Sequence, residues 1–147
     1  MVYFDTSALL ALLVPDLWST KAREIGSKLR HAIQLTDLGE IELMTRIHRA
    51  LGEKKLGVME HFQVLRQFEQ DVADGIIVRK RLNTQAHVNE ALRMARSCAP
   101  KLAVRSLDIL HVSAARLLGC RSFASFDHRQ RQLAAAVRLK LLPTTLT

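Results

Sequence analysis

Cysteine is almost missing from this chain: Cys98 and Cys120 are the only two among 147 residues, with no Cys-x-x-Cys pair. That excludes a disulfide framework and suits a reducing compartment, so a cytoplasmic protein is expected. Long hydrophobic runs are missing too. The longest, residues 7–14, falls far short of the ~20 residues that a membrane span needs. No basic stretch precedes that run, and Asp5 does, so a secretory signal is not expected either. The six histidines, at 31, 48, 61, 87, 111 and 128, include no His-x-x-x-His pair of the kind that zinc helices use. A glycine-rich phosphate loop of the Walker or dinucleotide type is absent. Neither cysteine has a histidine close by in sequence, which argues against a thiol nucleophile.

What is present is a globular composition with an excess of positive charge. Hydrophobic residues make up 48% and charged residues 24%, the balance of a folded chain rather than a disordered one. A single domain over residues 1–147 is long enough to close one core without staples. Lysine and arginine number 22 against 14 aspartates and glutamates, a net charge of +8. That favours a polyanionic partner. Nucleic acid is preferred to a membrane surface, because no basic amphipathic tail is evident.

Strand and helix patterns alternate along the chain. Residues 2–4, 33–36, 75–78, 121–126 and 139–142 read as short buried strands. Between them, residues 7–14 read as a helix stopped by Pro15, and Asp16 reads as the cap of a second helix reaching roughly residue 31. A long helix starts at Asp37, and another covers 58–73, with Gly52 and Gly57 marking the join. Residues 84–98 and 106–118 are helical on either side of a loop carrying Pro100, and 129–138 form the last helix. Strands spaced by helices predict one α/β domain, with a parallel sheet sandwiched between helix layers.

Carboxylates stand where such a fold gathers ligands. In open parallel sheets, sites form at the carboxyl ends of strands, where strand order reverses. Asp5 ends the first strand in VYFD, and Asp127 ends the fourth in RSFASFD. Each also reads as an N-cap of the helix that follows. In TDLGEIELMTRI, Asp37 and Glu40 have capping-box spacing, whereas Glu42 lies past the first turn, where capping does not explain it. In SLDILHVSAARLLG, Ser106 reads as the N-cap and Asp108 lies in the first turn of a helix that is apolar nearly all round. Four convergent acids repel one another unless a cation neutralises them, and all-oxygen ligation selects Mg²⁺ or Mn²⁺ over zinc. On a basic protein this points to phosphodiester hydrolysis.

The segments YFDTSALLAL, TDLGEIEL, LDILHVSAA and SFASFDHRQRQLA, in that order, resemble the successive acidic motifs of PIN-domain ribonucleases. The likeness is nearest to the VapC toxins of bacterial and archaeal toxin–antitoxin pairs and spans essentially the whole chain. Asp5, Glu42, Asp108 and Asp127 match the family's acidic quartet. The resemblance implies Asp5 and Asp108 as direct metal ligands. It leaves Glu42 to bind metal directly, to act through water or to orient the nucleophile, and in the family the fourth acid often acts through water. Thr6, Ser7 and Ser125 match the small hydroxyl residues that accompany the first and last acids. Membership implies a three-layer α/β/α sandwich around a mainly parallel five-stranded sheet. It also implies Mg²⁺- or Mn²⁺-dependent endoribonuclease activity, frequent homodimers, and a small antitoxin that obstructs the site. One departure is Arg138, where relatives usually carry glycine, so the turn there is expected to be built differently.

Around the quartet, Arg129 and Arg131 are candidates for RNA-phosphate contacts by their position behind Asp127. Residues 79–81 read as a solvated charged face, and Trp18, Phe62 and Phe68 as core or interface. His111, one turn after Asp108, is within reach of the site or a phosphate, but a packed, hydrogen-bonded histidine is the preferred reading. A segment such as residues 62–68 also suits an antitoxin. The alternative to an enzyme is a non-catalytic RNA- or protein-binding module that keeps the fold. A DNA-directed nuclease of the flap-endonuclease type is disfavoured, because the elements that thread DNA are missing.

Overall fold

Tyr3 and Phe4 are neighbours in sequence, and both are buried on opposite sides of one strand. Successive strand residues point to opposite faces, so this pair sets the layering of the molecule. Phe4 packs with Leu9, Leu35, Leu43, Ile47 and Phe68, while Tyr3 packs with Met94, Val112, Phe123 and Leu133. The structure, a computed structural model, describes residues 1–146.

The chain runs β1 (Val2–Phe4), α1 (Thr6–Leu13), α2 (Ser19–Ser27), β2 (Ile33–Thr36), α3 (Asp37–Gly52) and α4 (Val58–Ala73). It continues through β3 (Ile77–Lys80), α5 (Thr84–Cys98), α6 (Ser106–Leu117), β4 (Ser122–Ala124), α7 (His128–Ala136) and β5 (Lys140–Leu142). Core residues of α1 to α4 fill the Phe4 side, and those of α5 to α7 fill the Tyr3 side. The three-layer α/β/α arrangement is therefore as expected.

The sheet is parallel throughout, but it is not one continuous ladder. β1 pairs with β4, from Val2 opposite Ser122 to Phe4 opposite Ala124, and β4 pairs with β5. Separately, β2 pairs with β3, from Ile33 opposite Ile77 to Thr36 opposite Lys80. β2 lies alongside β1 without a hydrogen-bonded ladder, so the expected five-stranded sheet is divided into three strands and two. A three-residue strand offers few ladder bonds at either edge. Strands thus follow one another as β3, β2, β1, β4, β5. The order reverses between β1 and β4.

Helix ends correct several local expectations. Thr36, not Asp37, caps α3, its hydroxyl accepting from Gly39 N at 3.2 Å; Glu40 instead takes Arg79 at 2.7 Å. Residue 79 is thereby a pinned ion pair rather than a freely solvated face, and its guanidinium lies over Phe68. Asp16 closes a turn onto Trp18 N at 2.8 Å, and α2 ends at Ser27, short of residue 31. Trp18 and Phe68 pack inside, Trp18 stacking on Phe126, whereas Phe62 is 59% exposed.

Four helices stop with the same pair of hydrogen bonds. After α7, Arg138 N donates to the Ala135 carbonyl and Leu139 N to that of Ala134. The pattern recurs at Lys54, Gly75 and Gly119, and all four have positive φ, between 57° and 72°. This Schellman motif favours glycine. At Arg138 the turn expected to differ is in fact the ordinary one, held with φ at 65° by a residue with a Cβ.

Candidate active site

Asp5 follows β1 directly, and Asp127 follows β4, so both stand at the point where strand order reverses. Asp5 is fully buried. Its Oδ1 accepts from Ala8 N at 2.8 Å and Ser7 Oγ at 2.6 Å, and its Oδ2 accepts from Ser125 Oγ at 2.5 Å. Burial still pushes the Asp5 carboxyl above the usual range, against the pull of these donors. Asp127 caps α7, with Oδ1 accepting from Arg129 N and Gln130 N. Ser125 ties the two acids together, since its Oγ also accepts from Asp127 N at 3.0 Å. Ser7 links the same strands a second time through Phe126 N at 2.8 Å.

Glu42 reaches this place from the second turn of α3. Its Oε2 accepts from Thr6 Oγ1 and from His111 Nε2, each at 2.6 Å, and Arg46 lies 3.3 Å from Oε1. Partial burial raises its carboxyl, but His111 and Thr6 outweigh that and hold it at about 2. His111 is completely buried, and its Nδ1 meets Tyr3 Oη at 2.9 Å. With Nε2–H given to the carboxylate, a neutral ring leaves Nδ1 to accept the tyrosine proton. Tyr3 and His111 thus form a buried chain that fixes Glu42. The expected packed, hydrogen-bonded role of His111 holds; its partners Glu42 and Tyr3, 69 and 108 residues away along the chain, are not legible from spacing.

Asp108 stands one turn before His111 on α6. Its Oδ2 accepts from Arg105 N at 2.7 Å, so Arg105 rather than Ser106 is the N-cap. No hydrogen bond joins Asp108 to the other three acids; it approaches through the helix it shares with His111. Three of the four acids therefore sit at the amino ends of helices α1, α6 and α7, where the dipole favours negative charge. Arg131 departs from expectation. It is buried, and its guanidinium donates to the carbonyls of Ser125, Pro143 and Thr144 at 2.8–3.2 Å, which removes it from phosphate contact. Arg129 is half-buried, with no side-chain partner among the described residues.

Among the described residues, no three His, Cys, Asp or Glu side chains are close enough together to hold a metal ion unaided. The donor set nonetheless fits a hard cation that keeps much of its water: a buried carboxylate with raised proton affinity, an ionised one beside it, and Asp108 Oδ1 and Asp127 Oδ2 without hydrogen-bond donors among the described residues.

Comparison with known proteins decides the family. The model of the PIN domain matches residues 2–136. The chain belongs to the PIN-domain family. This PIN domain has the fold of VapC20 from Mycobacterium tuberculosis, described as a toxin that cleaves the sarcin–ricin loop. Identity is 14% and the TM-score 0.70, with 97% of this chain and 100% of that one covered. FitAcB from Neisseria gonorrhoeae is similar to it at a TM-score of 0.67 and 14% identity, over 98% of both chains. No curated protein matches the PIN domain by sequence. None of its described helices is long and apolar enough to cross a membrane.

Proposed function

We propose that this protein, a single PIN domain over residues 1–147, is a metal-dependent endoribonuclease and the toxin of a toxin–antitoxin pair. The carrying observation is the meeting of Asp5, Glu42 and Asp127 through Ser125, Thr6 and His111, with Asp108 one turn away. In this reading Asp5 and Asp108 hold Mg²⁺ or Mn²⁺ directly, Glu42 holds it directly or through water, and Asp127 acts through water. The ion supplies neutralisation of the acids and Lewis acidity toward water and the phosphodiester. Ser7, Ala8 and Ser125 fix the orientation of the buried Asp5 carboxylate. Glu42, kept ionised by Thr6 and His111, is placed to orient the attacking water. Arg129 contacts a flanking phosphate.

An antitoxin that covers the site, a homodimer and a cytoplasmic location belong to the same reading. Purified protein incubated with structured RNA and Mn²⁺ or Mg²⁺ should yield internal cleavage that EDTA stops, and Asp5→Asn and Asp108→Asn should be inert. Equal cleavage by all three proteins refutes the mechanism. Tight RNA binding that ignores EDTA, without turnover, selects the non-catalytic module instead.

A further inference from the structure

A second group of metal-ligating side chains converges away from the acidic cluster. His48 lies on the exposed side of α3 and His61 in the first turn of α4, on helices whose inner faces send Leu43, Ile47, Val64 and Phe68 into the core. His48 Nδ1 and His61 Nε2 are 3.0 Å apart, with ring centroids at 4.7 Å and planes inclined by 58°. One hydrogen bond between an exposed and a half-buried ring is worth little against water. The helices are held by their core residues and do not need it.

The separation matches the bite of a transition metal. Two imidazole nitrogens about 2.0–2.1 Å from one ion stand about 2.9 Å apart at a right angle and about 3.4 Å apart at the tetrahedral angle. We propose that His48 and His61 form a two-histidine site for a borderline divalent transition-metal ion. Tetragonal Ni²⁺ or Cu²⁺ fits the observed spacing best, and Zn²⁺ fits after an opening of a few tenths of an ångström. Water fills the other positions, because no third ligand residue joins the pair among the described residues. To bind the ion each ring must turn from the hydrogen-bonded pose so that its lone pair aims beside the N–N line, which the exposed His48 and the half-buried His61 have room to do. Arg49, Glu53 and Lys55 of the same hairpin are engaged with one another, which offsets part of their positive charge. Imidazole selects ions softer than those the carboxylates select, so this site and the acidic one sort metals differently. The bound ion clamps α3, which carries Glu42, to α4.

The test titrates Ni²⁺ into the full-length protein while following histidine ring resonances and the unfolding midpoint. Paramagnetic broadening is expected at His48 and His61 before His31 and His128, with a rise in midpoint that EDTA reverses. His48→Gln and His61→Gln should each weaken binding about tenfold or more, since each removes half of a chelate. Glutamine at these helix-surface positions preserves helix propensity, so both variants fold. Asp5→Asn should bind Ni²⁺ as the wild type does. Broadening that begins elsewhere, or equal affinity in wild type and both histidine variants, overturns the proposal. So does a response lost in Asp5→Asn but kept in the histidine variants.

Discussion

Asp5 and Glu42 are neighbouring carboxylates that their surroundings push in opposite directions. Burial raises Asp5, so the folded protein holds that proton more tightly than the unfolded chain does. Its contribution to stability is complete below the unfolded value of 3.8 and is lost as pH rises through the folded value. At neutral pH the buried carboxylate is a cost, which a neutral amide removes. Asp5→Asn should therefore abolish cleavage yet raise the thermal midpoint by about 2–4 °C for each kcal/mol recovered. A lowered midpoint in calorimetry would contradict the buried charge. Glu42 runs the other way: lowered from 4.5 to about 2, it stabilises fully above 4.5 and loses that contribution as pH falls toward 2. Carboxyl carbon NMR should place its titration near 2, and in His111→Gln the midpoint should climb toward the ordinary glutamate range. A shift of the Glu42 midpoint separates positioning of Glu42 from mere packing by His111. All four acids were visible in the sequence because each breaks an apolar stretch or stands past a strand. Tyr3 was not, since a tyrosine in a strand looks like core until its partner is known, and the place of His111 one turn after Asp108 pointed toward the site without revealing Glu42 as its partner. Arg131 misled for the same reason: its three carbonyl partners lie in loops that no periodicity describes.

Helix ends show what the element scale reveals and conceals. Strand and helix order followed from alternation of apolar periods, whereas the reversal between β1 and β4 is seen only in the strand pairing. Caps were less legible: the N-cap positions of α3 and α6 each lie one residue before the residue that best fits the motif, with Thr36 capping through its hydroxyl and Arg105 only receiving the Asp108 carboxylate at its backbone N–H. The division of the sheet could not be read at all; it depends on whether two three- or four-residue strands align, not on their composition. Arg138, standing where relatives usually carry glycine, suggested a different turn, and the structure instead keeps the ordinary turn with a positive φ at that residue. Holding a residue with a Cβ at φ 65° is unfavourable, and Lys54 repeats the situation at φ 57°. Both are exposed. Arg138→Gly and Lys54→Gly should each stabilise the protein by about 0.5–1 kcal/mol, read as a shift in denaturant midpoint at constant slope. Gly119→Ala, at φ 70°, should cost a similar amount. If Arg138→Gly is neutral or destabilising, its guanidinium makes contacts that offset the strain.

At the scale of the whole molecule the chain carries +8, and four of its 14 acidic residues belong to the cluster at the carboxyl edge of the sheet, where three helix amino ends also point. The rest of the chain, with ten acids against 22 basic residues, carries the larger excess of positive charge, which draws a polyanion in while the cluster itself repels it. Such binding is governed by released counterions, and for single strands the logarithm of affinity falls by about 0.7 per phosphate for each decade of salt. With four phosphates contacted, raising KCl from 50 to 200 mM should weaken RNA binding roughly 50-fold. Measured on the inert Asp5→Asn background, this slope separates two arginines that the sequence treated alike. Arg129→Ala should lower the slope by about 0.7 and leave the unfolding midpoint nearly unchanged. Arg131→Ala should leave the slope alone and cost about 2–4 kcal/mol of stability, because three carbonyls lose a charged donor. Equal slopes for both variants would mean that Arg129 does not face the RNA, and the phosphate path would have to be sought on another face of the PIN domain.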